Sequence, residues 1–308
     1  MTRDPHGVLL MTYGSPASLE RSDVADYLTR VRGGREPAPG LVDEFTRRYR
    51  VIGGSPLIAI TRAQAAALSE ALGWPVEIGM RFSEPTIVAA LTALAGIGVR
   101  RVAAIILSPQ YSPILMRGYA EAIEAAMNAL GDGAPRATVA GAWHDEPAFV
   151  RALGDRIAGA LAGLGAAGRT ATHVLLTAHS VPKRVADQEP GYIDQLRTTA
   201  ASVAAVAGLA DDEWTFCWQS AGHEPGEWMA PDFADLMPAL AAAGRRSVLV
   251  APVQFLADHL ETLYDIDVAA REQAEECGLA FRRIASLDTA PQLVDALAAV
   301  ARRTLRAN

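Results

Sequence analysis

VLLTAHSVP, residues 174–182, aligns without a gap on VLLMTYGSP, residues 8–16. Each is an apolar run of strand type that gives way to a polar ring, a small residue and a proline, with Tyr13 opposite His179 and Pro16 opposite Pro182. Further on, RRVAAIILSPQY at 100–111 resembles RRSVLVAPVQF at 245–255 once small gaps are allowed. Two matched pairs in the same order indicate an internal duplication, and a repeat constrains architecture more firmly than any single element.

Around these segments, short apolar runs bounded by turn residues alternate with longer Ala/Leu-rich stretches of helical spacing, the pattern of an α/β protein with parallel sheets. Strands are predicted at 7–13, 76–80, 102–108 and 137–142, and a second set at 172–178, 214–219, 247–253 and 279–285. Helices are predicted at 57–72, 86–95, 147–164, 191–207, 232–243, 258–276 and 290–306. The expected fold is two similar Rossmann-like domains, each a four-stranded parallel sheet flanked by helices, with a cleft between them. The boundary falls after WHDEP, giving domains 1–145 and 146–308, the last helix being a candidate to pack back on the first. In open α/β sheets ligands bind beyond the carboxyl ends of the strands. Tyr13, Gln110, His179, Trp218 and Gln254 lie at or just past such ends.

Composition narrows the function classes. At 308 residues, half apolar and one-fifth charged, the chain can bury large cores. A net charge of −7 supplies no general field toward nucleic acid or anionic lipid. No apolar run approaches the ~20 residues that span a bilayer. The opening MTRDPHG has no apolar signal core, so no transmembrane anchor and a cytoplasmic location are expected. Two cysteines, Cys217 and Cys277, are too few for a disulfide framework, a four-thiolate zinc site or an iron–sulfur cluster within one chain.

Chemistry concentrates in four places. His179 ends a strand, where a histidine either satisfies its ring nitrogens locally or serves as a metal ligand or proton acceptor. The serine beside it lacks the Gly-x-Ser-x-Gly elbow of a serine hydrolase. In APVQFLADHLETLYDIDVAAREQAEE, 251–276, a helix starting near 258 would set Asp258, Glu261, Asp265 and Glu272 in one arc, with His259 pointing elsewhere in a structural role. Such a stripe is either a solvated face or a set of oxygen ligands suited, with imidazole, to divalent iron. Third, RVRGGREP at 30–37 reads as a loop carrying Arg30, Arg32 and Arg35, able to fork onto ligand carboxylates or simply to be solvated. WQSAGHEPGEW, 218–228, brings Trp218 and Trp228, candidate walls for a wide planar ligand or core residues. Neither GREP nor IGGSPL has a P-loop lysine or GxGxxG spacing, so nucleotide binding is not expected.

Together these segments resemble one family, the ferrochelatases, which insert ferrous iron into porphyrins. The resemblance rests on LLMTYGSP, YRVIGGSPL at 49–57, GMRFSEPTI at 79–87, LSPQYS at 107–112, TAHSVP, WQSAGHEPGEWMAPD at 218–232 and FLADHLETLYDID at 255–267, in family order along nearly the whole chain. It implies a place in haem biosynthesis, a porphyrin cleft between the domains, and His179 facing Glu261 across the metal-insertion site, with Asp258 and Asp265 as a metal relay. Tyr13 sits where the soluble coproporphyrin type places a tyrosine that approaches iron from the opposite side; a transit segment and a cysteine-bearing tail are not expected. Coproporphyrin has four propionates, for which Arg32, Ser55, Arg81, Ser112 and Tyr119 are the anchors implied by position. Three positions depart from the pattern: Gly33 replaces a second arginine, IGGSPL is one residue short at Ser55, and Ala269 replaces a glutamate. Ferrous iron and the porphyrin would be substrates, with no permanent cofactor and a monomeric protein. A cobalt or sirohydrochlorin chelatase, which shares fold and histidine, and a non-catalytic tetrapyrrole carrier are the alternatives.

Overall fold

The computed structural model of the chain describes residues 5–222 and 226–306. The first half runs β1 (His6–Thr12), α1 (Arg21–Val31), α2 (Pro39–Val51), α3 (Leu57–Leu72), β2 (Val76–Met80), α4 (Ile87–Gly96), β3 (Arg101–Ile106), α5 (Pro113–Leu130) and β4 (Arg136–Val139). The second runs α6 (Pro147–Ala162), α7 (Gly165–Ala171), β5 (Thr172–His179), α8 (Lys183–Gln188), α9 (Pro190–Val206), β6 (Trp214–Gln219), α10 (Phe233–Ala242) and β7 (Ser247–Pro252). It closes with a π-helix (Glu261–Ala270), α11 (Arg271–Glu276), β8 (Ala280–Arg283) and α12 (Pro291–Arg306).

Both sheets are four-stranded and wholly parallel, ordered β2-β1-β3-β4 and β6-β5-β7-β8. The orders superpose if β1 corresponds to β5 and β3 to β7, the same pairs that the sequence repeat matches. The fold is therefore α/β with two related four-stranded parallel sheets flanked by helices. Parallel strands covered on both faces are apolar throughout, as β1 and β5 are: Val8, Leu9, Leu10 and Met11 are fully buried, and His179 is the first residue along β5 to reach partial exposure. Order reverses beside β1 and β5, so the crevices of the two sheets open at the ends of those strands.

Leu9 and Met11 pack against Leu91 and Ile123 on one face of the first sheet. Val8 and Leu10, on its other face, belong to a core that continues through Leu153 and Ile157 of α6 and Leu297 of α12 to Leu176 and Leu249 of the second sheet. The halves thus share one apolar interior, and α12 packs against α3 and β3.

Polar ties cross the same boundary. Gln195 of α9 accepts from the Tyr111 backbone N–H (2.8 Å) and donates to its carbonyl (3.1 Å), filling both main-chain valences of one residue. Glu189 accepts from Ile114 N–H (3.0 Å) and from the Ser112 hydroxyl at the start of α5, where a carboxylate complements the exposed N–H groups. Gln64 of α3 donates to the Asp288 carbonyl at 2.7 Å.

Two expectations are corrected. Arg30 lies in the last turn of α1, and only Arg32 onward forms the 32–38 loop. The acidic helix begins at Leu260 rather than 258, and Glu261–Ala270 take the wider π form with i→i+5 bonding.

Candidate active site

β5 delivers His179 and the β7 exit delivers Glu261 to one point. The His179 ring places Nδ1 2.5 Å from the Ser180 carbonyl. A carbonyl only accepts, so Nδ1 carries a hydrogen and Nε2 is the nitrogen left to gain or give up a proton or to meet a metal. Nε2 faces Glu261 Oε1 at 3.8 Å, with both side chains about one-third exposed (31% and 34%). A group that is partly wet and aimed at a carboxylate, with its tautomer fixed from behind, can hold a divalent metal or take up a proton.

Glu261 has a second imidazole on its other side. His259 Nε2 lies 3.5 Å from Oε2, while His259 Nδ1 is tied to the Ala257 carbonyl at 2.9 Å. The expectation that His259 points elsewhere is corrected: because the helix starts after it, its ring turns back onto the carboxylate. Burial opposes the Glu261 charge, but His179 and His259 outweigh it and hold the carboxyl down at about 2. Burial likewise works against a charged His259, yet its bond to Glu261 raises its pKa. The centre is a carboxylate between two imidazoles.

Tyr13 follows β1 directly and is 48% exposed, its ring edge-on to Phe82 (4.9 Å). Enclosure by the surrounding protein raises its phenol pKa, Arg81 lowers it, and the Glu261 charge raises it again. The structure thus brings Tyr13, His179 and Glu261 into one electrostatic neighbourhood. Tyr49 and Tyr27 join it, each pushed up mainly by burial and, in part, by Glu261.

Asp265 belongs to this neighbourhood as well. Its pKa is raised by burial and by Glu261, against a hydrogen bond from Ser220, Arg48 and His179. Ser220 sits at φ 56, a left-handed backbone unusual for serine, which aims its hydroxyl at that carboxylate. Arg48 of α2 reaches Asp265 Oδ1 at 3.4 Å.

The continuous acidic stripe does not form. Asp258 precedes the helix and is held by Arg283 (3.1 Å) and the Ser286 hydroxyl (2.6 Å). Arg283 also forks onto Asp267 at 2.7 and 2.8 Å, and Glu272 is exposed on α11. No cluster of three or more His, Cys, Asp or Glu groups in metal-binding arrangement occurs among the described residues.

The remaining candidate residues divide by burial. Ser112 is fully buried, donating to Glu189 and accepting from Leu115 N–H as the α5 N-cap, so it anchors a helix rather than a ligand. Tyr119 (2% exposed) packs under Arg81, and Trp218 (2%) packs edge-on to Phe216 inside the second half; neither meets solvent as a ligand wall. Trp228 stays half-buried, on the segment that bridges Pro182. Ser55 is half-buried and accepts from Leu57 N–H at 3.4 Å; Arg32 is half-buried, with its Nε enclosed and unpartnered. Arg81 is clasped among Phe82, Tyr119 and Tyr13, with Cζ 4.7, 5.3 and 5.9 Å from the ring centres, and donates to the Leu115 carbonyl. A side chain at Gly118 would meet Arg81 Nη2 at 2.2 Å, so glycine there lets the guanidinium lie across α5. His223, the further histidine of the WQSAGHEP segment, lies outside the described residues.

The ferrochelatase family model matches residues 5–305. The ferrochelatase of Deinococcus radiodurans is 38% identical over 97% of this chain and 96% of its own length. The coproporphyrin III ferrochelatase of Geobacillus kaustophilus is 35% identical, again covering 97% and 96%. Among solved structures, SirB from Bacillus subtilis with Fe3+ shares the fold, with a TM-score of 0.58 at 12% identity over 97% of this chain and 95% of that one. The chain belongs to the ferrochelatase family of metal-insertion enzymes.

Proposed function

We propose that this protein inserts ferrous iron into coproporphyrin III, releasing two pyrrole protons. The observation that carries the reading is the His179 imidazole, whose Nδ1 is tied to the Ser180 carbonyl and whose Nε2 faces Glu261. Names of relatives support the porphyrin class, as several 32–35% identical over nearly the full length are coproporphyrin III ferrochelatases. Under this reading each half, divided near residue 145, supplies one wall: Tyr13 from the first, His179 and Glu261 from the second. Arg32, Ser55 and Arg81 are the propionate side and Trp228 a flank of the ring.

Breaking two pyrrole N–H bonds while iron gains all four ring nitrogens requires a base for each proton and a ring whose lone pairs tilt out of plane. His179 accepts a proton or holds the arriving iron; Glu261, ionised between two imidazoles, stabilises the positive charge that either role brings to the ring. Asp265, next in line, receives the proton or passes iron. Binding energy from the propionate contacts is available to bend the macrocycle toward the reactive shape.

The test mixes purified protein anaerobically with ferrous iron and, separately, coproporphyrin III, protoporphyrin IX and sirohydrochlorin, following the visible absorption bands. Rapid metallation of coproporphyrin alone is expected. Metallation of sirohydrochlorin alone would support the second reading, a sirohydrochlorin-type chelatase, whose fold is shared. Tight tetrapyrrole binding without metallation would identify a carrier.

A further inference from the structure

We infer that Gln254, locked by Tyr192, is a positioning residue that sets the orientation of the His179 imidazole; the inference rests on the proposed role of His179. The ladder between β5 and β7 is regular up to Val253, whose N–H donates to the Thr177 carbonyl at 2.9 Å. In a regular parallel ladder the next rung would run from His179 N–H back to the Val253 carbonyl. That rung is exchanged. The Val253 carbonyl instead accepts from the side chain of Gln110, at 3.4 Å, and His179 N–H donates to Gln254 Oε1 at 2.9 Å.

Gln254 is fixed at its other end. Its Nε2 donates to the Tyr192 hydroxyl at 2.7 Å, and Tyr192 is 3% exposed on α9. With Oε1 committed to an N–H and Nε2 to a hydroxyl, the amide has one orientation. On the opposite side, Ser180 N–H donates to the Gln219 carbonyl at 2.8 Å, and the Ser180 carbonyl fixes the His179 ring. The imidazole is therefore carried on a backbone pinned from β6 by main chain and from the β7 side by one side-chain amide. Gln110 and Gln254 occupy matching positions in the sequence repeat, yet only Gln254 reaches the strand end opposite its own partner. Gln110 crosses between the halves, to Thr199 (3.0 Å) and Val253. Repeat inheritance alone does not account for the bond to His179.

The experiment compares wild type with Gln254→Ala, Gln254→Glu and Tyr192→Phe. Three quantities are read: the ¹⁵N signals of the His179 ring in metal-free protein, kcat and KM for porphyrin and iron, and Tm. Gln254→Ala should move the His179 ring signals and lower kcat by about 10- to 100-fold without raising the porphyrin KM, as for other groups that orient a metal-facing imidazole. Tyr192→Phe should shift the signals the same way by less. Gln254→Glu, whose carboxylate can accept from both His179 N–H and the Tyr192 hydroxyl, should recover part of the loss. Unmoved ring signals in Gln254→Ala, or a kcat loss matched by the unfolded fraction, would overturn the inference. If Gln254→Ala does not fold, Tyr192→Phe carries the same comparison. Should wild type metallate no tetrapyrrole, the proposed function fails, while the ring signals still decide the positioning role.

Discussion

His179 Nε2 and Glu261 Oε1 stand 3.8 Å apart, too far for a hydrogen bond and near enough for strong attraction once either a proton or a metal arrives. Replacing His179 by alanine should therefore lower iron insertion by about 100-fold or more while porphyrin still binds. Turnover and porphyrin fluorescence quenching, measured on the same preparation, check this. Near-normal turnover would remove His179 from the mechanism.

His259 helps hold Glu261 ionised down to about pH 2, so His259→Ala should let the Glu261 pKa rise. The acid limb of the kcat profile would then move to higher pH, with the alkaline limb unchanged. A pH profile of the variant coincident with wild type would refute the coupling.

Asp265 and Asp258 should part company. Asp265→Asn, next to Glu261, is expected to raise the iron KM by about tenfold with kcat little changed. Asp258→Asn removes one of two carboxylates on Arg283 and should leave the iron KM alone while costing about 2 kcal/mol of stability, read as a lower Tm.

Gly118→Ala adds a methyl where Arg81 Nη2 now lies, and alanine favours the helix. Tm should hold or rise while the porphyrin Kd increases about fivefold, the equivalent of ~1 kcal/mol. An unchanged Kd would take Arg81 out of porphyrin recognition.

His173 tests stability against pH. Buried, with Nε2 2.9 Å from the Thr215 hydroxyl and Nδ1 enclosed without a partner, it has its pKa lowered to about 4 by burial, Arg245 adding to the drop and Asp212 opposing it. The unfolded chain, titrating near 6.5, takes up this proton first. The contribution is therefore complete above pH 6.5 and lost as pH falls toward 4, about 3 kcal/mol in all. Urea titrations across that window should show a shallower decline in His173→Gln.

The duplication was legible because strand interiors buried on both faces keep their apolar runs, so Val8 to Met11 and Val174 to Thr177 still align. Strand-end residues were legible for the same reason, since Tyr13 and His179 interrupt those runs. His259 was misplaced because helical arithmetic assumed a start at 258 and an α period. The π turn and the loop that Arg283 and Ser286 pin to Asp258 are long-range outcomes that no local pattern encodes. Ser112, Tyr119 and Trp218 were offered to a ligand by position along the chain, whereas packing turned them inward. A hydroxyl facing Glu189 from the other half could not be seen from LSPQYS alone.

The core that runs from Leu10 through Leu153 and Leu297 to Leu249 joins the two halves through one buried apolar interior. Under the proposed function, a ring bound between Tyr13 and His179 would meet walls backed by close-packed interior and would be the softer partner. Its deformation would then be a mechanical load set by the spacing of β1 and β5, with the strand-end loops as the place to relieve it.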